Sequence, residues 1–150
     1  MKIGDKIPES LGFDADGNEI LASHFTGKRL VIYFYPKDNT PGCTAEACSI
    51  SAGYAELTKA GYAVIGVSKD TAASHKKFAE KHSLPFPLIA DTELKLNNTF
   101  GVWQEKKMCG RTSMGTVRTT FVTDTNGIIT HIITKVNTKD AANQILSETK

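Results

Sequence analysis

Cys43 and Cys48 stand five residues apart in the stretch FYPKDNTPGCTAEAC, just after an apolar run. Thr40 is suited to cap a helix and Pro41 to open one. Cys43 then falls in the first helical turn. Its backbone N–H is one of the unpaired donors of a helix start, and its sulfur feels the positive end of the helix dipole. Both effects favour the thiolate, the nucleophilic form of cysteine. Arg118 would add a positive charge if its strand ran beside the helix start. The competing reading is a small core residue, a common place for cysteine.

Cys48 poses a geometric problem. Along one ideal helix, five residues rise about 7.5 Å and turn about 140°, which separates the Cα atoms by roughly 8.7 Å. A disulfide needs them within about 7 Å. The two cysteines therefore cannot join while both stay helical. Melting the first turns would let them meet, so the expectation is a conditional disulfide. The alternative is that Cys48 is a partly buried helix residue. A metal site is disfavoured, because zinc spacing is usually Cys-x₂₋₄-Cys with further ligands. The four histidines, His24, His75, His82 and His131, are scattered. His75 and His82 fall on a polar helix, where surface histidines are expected. No Gly-x-Ser-x-Gly elbow is present.

Composition narrows the class. The chain has 150 residues, 40% apolar and 23% charged, which fits one soluble domain with a real core. Its 18 basic and 16 acidic residues leave a formal charge of +2. That balance supports neither nucleic acid nor an anionic membrane as partner. The start MKIGDKIPES has no apolar signal run, and no stretch approaches transmembrane length. A cytoplasmic location is expected. Three cysteines do not make a disulfide framework. In a reducing compartment a close pair points to catalysis or metal binding.

The elements that must position these residues read as an α/β fold. Residues 11–22 form a hairpin turning at Asp16-Gly17-Asn18. Residues 28–35 carry a non-alternating apolar run, as in a central strand buried on both faces. A helix from Thr40 shows the stripe Ala47, Ile50, Tyr54, Leu57 and stops at Gly61. A second buried strand covers 63–67, and a helix 71–81. A short strand covers 86–90, with Pro87 marking an edge, and a weaker helix 92–100. Residues 104–116 read as a loop, with a local basic excess at Lys106, Lys107 and Arg111. Strands at 117–123 and 128–133 flank the turn Asp124-Thr125-Asn126-Gly127. A helix over 139–148 ends the chain. The order implies a central mixed sheet covered by helices, with right-handed crossovers. Sites in such folds gather at the carboxyl ends of strands, where Cys43 lies. No Gly-x-Gly-x-x-Gly or Walker sequence points to a nucleotide.

The stretch FYPKDNTPGCTAEAC resembles the active-site region of peroxiredoxins, in the bacterioferritin-comigratory-protein or peroxiredoxin Q group. The family pattern Pro-x-x-x-Thr-x-x-Cys lies here as Pro36, Thr40 and Cys43. The stretches LPFPLIAD and GVWQEKKMCGRTSMGTVRTTFVTD are also similar. The resemblance covers nearly the whole chain and implies a thioredoxin-like fold without cofactor or metal. It implies that Cys43 attacks a hydroperoxide and becomes a sulfenic acid. Thr40 would hydrogen-bond the peroxide or thiolate. Arg118 would stabilise the developing charge, and Pro36 would shield the pocket. Cys48 would resolve the sulfenic acid as an intrachain disulfide, which thioredoxin or a similar dithiol would reduce. The group resemblance also implies a monomer.

Two positions depart from the group. Cys109 stands where tyrosine is more usual, as a passive substitution, a second resolving thiol or a link to another chain. Ser51 and Ala52 replace a usual Arg-Asp pair. Beside the peroxidase stand a thiol–disulfide exchange protein and a redox sensor without efficient turnover. Peroxide consumption separates them from it. A general disulfide oxidoreductase would show Cys-x-x-Cys, whereas position 40 is threonine.

Overall fold

The computed structural model describes residues 1–149. Its centre is a five-stranded mixed sheet, in the order β5-β4-β3-β8-β9. The strands are β3 (Arg29–Phe34), β4 (Tyr62–Ser68), β5 (Leu88–Ala90), β8 (Thr119–Thr123) and β9 (Ile129–Ile133). β3 pairs parallel with β4 and antiparallel with β8, so it is the central strand expected from its apolar run. An N-terminal hairpin, β1 (Ser10–Phe13) with β2 (Glu19–Leu21), forms a separate two-stranded sheet. The arrangement is thioredoxin-like, as the sequence led us to expect. No helix among the described residues is long and apolar enough to cross a membrane.

Side chains alternate along a strand, so β3 feeds two cores. Val31, Tyr33 and the following Tyr35 join Ala47, Ile50, Leu57, Phe78 and Ile145 on one face. These come from α1 (Pro41–Ala52), α2 (Tyr54–Lys59), α3 (Ala72–His82) and α5 (Ala141–Glu148). Leu30, Ile32 and Phe34 join Leu11, Leu96, Phe100 and Phe121 on the other, under the hairpin and α4 (Lys95–Thr99). Each fully buried side chain of this kind contributes roughly 1.5–3 kcal/mol. Cys43 belongs to the first core and is 1% exposed.

The structure revises three sequence expectations. The helix expected to run from Thr40 to Gly61 breaks at Gly53 into α1 and α2. A Cβ at Gly53 would lie 2.3 Å from the Cβ of Ala142, so α5 crosses there against bare backbone. Residues 104–116 are not a loop. They form a hairpin of β6 (Trp103–Met108) and β7 (Arg111–Thr116), with Cys109 and Gly110 both at positive φ in its turn. His75 is not a surface histidine but is fully buried.

α5 also lacks a cap of its own, since Asp140 makes no side-chain capping bond. Ser49 of α1 supplies one. Its hydroxyl accepts from the Ala141 N–H at 3.1 Å and donates to the Thr138 carbonyl at 2.8 Å. The helix that carries both cysteines is thereby fastened to the end of the chain.

Candidate active site

The loop from β3 to α1 carries Pro36, Asp38 and Thr40. Asn39 takes the left-handed conformation (φ 63°), which its short polar side chain tolerates. Asp38 is buried and anchors the loop. Its carboxylate accepts from the Tyr35 hydroxyl at 2.6 Å and the Ser74 hydroxyl at 2.8 Å. His75 Nδ1 lies 2.8 Å from it, and His75 Nε2 lies 2.9 Å from the Ile89 carbonyl oxygen. The Asp38 N–H donates to Asp70 at 2.8 Å. Burial pushes the Asp38 carboxyl up, but the bonds from His75, Tyr35 and Ser74 outweigh it and hold it below the usual range. α3 thus fixes the approach to α1.

Thr40 occupies the cap position of α1 with extended backbone, as expected. Its hydroxyl does not cap the helix. It donates to the Lys37 carbonyl at 2.8 Å, tightening the turn. Pro41 opens the helix, and Cys43 lies in the first turn. Pro36 is half-buried at the exit of β3.

Arg118 immediately precedes β8, and β8 runs antiparallel to β3 with Thr119 opposite Phe34. This register brings Arg118 to the start of α1 from a position 75 residues away. Its Nη2 donates to the Cys43 sulfur at 3.2 Å, and its Nη1 donates to Glu46 at 2.6 Å. Burial works against the guanidinium charge, but Glu46 and the Cys43 sulfur outweigh it and push its proton affinity up. Glu46 is fully buried, one turn beyond Cys43, and its Oε2 has no hydrogen-bond partner among the described residues. Burial raises its carboxyl to about 7 against the opposing pull of Arg118.

The β6–β7 hairpin adds another cation. Lys106 donates to the Thr116 carbonyl at 2.8 Å and is half-buried. Burial and the neighbouring Arg118 push its ammonium below its ordinary value, partly offset by Cys43. Sequence reasoning passed over Glu46 and read Lys106 only as part of a basic excess in a loop. The one available signal for Glu46 was its helical spacing from Cys43, three residues on.

Cys43, Cys48 and Cys109 are all free thiols. Cys48 is exposed on α1, and its sulfur lies 3.7 Å from His82 Nδ1. Both cysteines sit in one continuous helix, so the structure is the folded, reduced form. Cys109 is exposed at the tip of the β6–β7 hairpin, on a different element from either.

A buried cysteine paired with a guanidinium on a thioredoxin-like sheet has relatives among known proteins. Residues 3–132 match the AhpC/TSA family. Peroxiredoxin Bcp of Bacillus subtilis is 41% identical over the whole of this chain and 96% of its own length. Peroxiredoxin Bcp of Escherichia coli K12 is 38% identical over 98% of this chain and 94% of its own. Among solved structures, a cysteine-to-serine mutant of Xylella fastidiosa PrxQ superposes with a TM-score of 0.89 at 31% identity, over 99% of this chain and 94% of that one. Bacterioferritin comigratory protein of Xanthomonas campestris superposes with a TM-score of 0.84 at 36% identity, over 91% and 87%. The chain belongs to the peroxiredoxins of the AhpC/TSA family, in the bacterioferritin-comigratory-protein and peroxiredoxin Q group.

Proposed function

We propose that the chain is a thiol peroxidase in which Cys43 reduces hydroperoxides and Cys48 regenerates it. The observation that carries the reading is the Arg118 guanidinium, 3.2 Å from a cysteine sulfur in the first turn of a helix. The Cys43 thiolate attacks the terminal peroxide oxygen. The O–O bond breaks, water or an alcohol leaves, and the sulfur becomes a sulfenic acid. Arg118 is aimed where negative charge develops during that cleavage, and its position is set beforehand by Glu46. The backbone N–H groups of the α1 start supply further donors. Thr40 and Pro36 shape the approach to the sulfur. The relatives bear names of the same kind, and the solved Xanthomonas campestris protein concerns alkyl peroxide reduction.

Cys48 is the resolving residue in this reading. It condenses with the sulfenic acid after α1 unwinds, releasing water and leaving an intrachain disulfide. A thioredoxin-like dithiol then reduces that bond by exchange. One domain carries the whole cycle, without cofactor or metal.

The test is intact mass and peptide mapping after one equivalent of hydrogen peroxide. The expected product has lost two hydrogens and carries a Cys43–Cys48 bond. A bond from Cys43 to Cys109 would replace the resolving residue. Absence of selective oxidation at Cys43 would remove the peroxidase reading. Peroxide consumption driven by a dithiol reductant separates it from simple disulfide exchange.

A further inference from the structure

Nothing in the peroxide step uses His82. It is the last residue of α3, far along the chain from both cysteines. Its imidazole is nevertheless held in one place. It is half-buried, and it meets the fully buried Phe78 ring edge-on, with centroids 5.1 Å apart and planes at 70°. Its Nδ1 faces the Cys48 sulfur at 3.7 Å, within hydrogen-bond reach of a thiol. A cysteine beside an oriented imidazole is the usual arrangement for making a thiolate.

We propose that His82 is the base that takes the Cys48 proton for the resolving step. The proposal rests on Cys48 being the resolving residue. With its own proton on Nε2, the ring presents the Nδ1 lone pair to the Cys48 thiol. Proton transfer gives a Cys48 thiolate and an imidazolium. The released thiolate leaves with the unwinding helix and attacks the Cys43 sulfur. The new S–S bond forms as the S–O bond of the sulfenic acid breaks. The departing hydroxide takes up a proton and becomes water. Cys43 sulfur is reduced, Cys48 sulfur is oxidised, and no further oxidant is required.

The scale of the effect follows from cysteine chemistry. An ordinary thiol is only a few per cent ionised at neutral pH. Base assistance therefore has room for a gain of up to about thirtyfold before ionisation is complete, and about tenfold for a partial one. Slower resolution also leaves the sulfenic acid exposed to a second peroxide, which carries it irreversibly to sulfinic acid.

The experiment compares wild type with His82→Asn and His82→Ala. Asparagine keeps an acceptor near the Nδ1 position but cannot take a proton. Stopped-flow kinetics give the rates of Cys43 oxidation and of disulfide formation separately. In both variants the ratio of the second rate to the first is expected to drop about tenfold, with more sulfinic acid at high peroxide. An independent readout is alkylation of Cys48 in the folded, reduced protein with Cys43 and Cys109 replaced by serine. Adding either His82 substitution should slow it about tenfold. Unchanged or faster resolution in both variants, with the Cys43–Cys48 bond still mapped, would overturn the role of His82 alone. So would full recovery in His82→Asn, since a hydrogen bond would then be enough. A bond that does not involve Cys48 would overturn the resolving assignment, and the His82 role with it.

Discussion

Arg118 Nη2 and the Cys43 sulfur lie 3.2 Å apart, brought together by the register of β8 against β3. The same guanidinium is held from its other side by Glu46 at 2.6 Å. Arg118 is therefore clamped, and its donor is aimed before any substrate arrives. Preorganisation of this kind is what makes a single charged donor effective in a site shielded from water.

Arg118→Ala should slow oxidation of Cys43 by hydrogen peroxide about 100-fold. The resolving step should keep its rate, since the guanidinium contacts Cys43 and Glu46 but not Cys48. Single-turnover kinetics distinguish the two steps. An unchanged rate of Cys43 oxidation would remove Arg118 from the chemistry.

Gly42 offers a subtler probe of the same clamp. A Cβ there would stand 3.1 Å from Arg118 Nη2 and 3.9 Å from its Cζ. The guanidinium must retreat by a few tenths of an ångström, while Glu46 holds it from behind. Gly42→Ala should slow Cys43 oxidation about tenfold, because small displacements of an aligned group are costly. Replacing glycine by alanine within a helix favours the fold by roughly 0.5–1 kcal/mol. Stability measured in urea should therefore hold or rise while activity falls. A joint loss of both would point to a general disturbance of α1 instead.

The contrast between Arg118 and the β6–β7 hairpin shows what was legible in the sequence. The apolar run of β3, the Thr-Pro helix start and the cysteine spacing are local features, and each was readable. The resemblance singled out Arg118, but only the pairing of distant strands explains its contact with Cys43. Residues 104–116 looked like a loop because the stretch is polar and punctuated by Gly110 and Gly115. Its Cys109-Gly110 turn also lacks the usual Asn-Gly signal. The stripe Ala47, Ile50, Tyr54, Leu57 concealed the break at Gly53, a position where Ala142 of another helix leaves no room for a side chain. His75 looked like a surface residue because its partner Asp38 lies 37 residues earlier.

That buried partnership should be measurable. Asp38→Ala leaves the Tyr35 hydroxyl, the Ser74 hydroxyl and the His75 ring without their acceptor. Each unsatisfied buried group costs about 1–3 kcal/mol. Partial rearrangement reduces the sum, so a net loss of about 2–4 kcal/mol is expected. Urea unfolding near neutral pH would measure it. A loss below about 1 kcal/mol would mean that the loop is held by other contacts.

Glu46 predicts a pH dependence with a definite sign. Its carboxyl rises from 4.5 to about 7 on folding, because burial outweighs Arg118. Between those values the folded state keeps a proton that the unfolded chain has lost. Stability from this group therefore falls as pH rises from about 4.5 to about 7, and the penalty is complete above that window. Glu46→Gln carries no such proton. Its unfolding free energy should gain on wild type across the window, by on the order of 3 kcal/mol. Parallel pH dependences in the two proteins would show that Glu46 stays ionised throughout.

Closing the Cys43–Cys48 bond must break the helix between them, since helical spacing holds their Cα atoms roughly 8.7 Å apart. The first bond of α1 runs from the Thr44 N–H to the Thr40 carbonyl at 2.9 Å. Unwinding should begin there. It should stop before Ser49, because that hydroxyl caps α5 and bonds Thr138. Hydrogen exchange after oxidation should then show newly fast amides from Thr44 to Cys48. The Ala141 amide, held by Ser49 in the reduced form, should keep its protection. Loss of protection at Ala141 would mean that the unwinding also frees α5. Full protection of α1 in a protein with the mapped Cys43–Cys48 bond would contradict the requirement for unwinding.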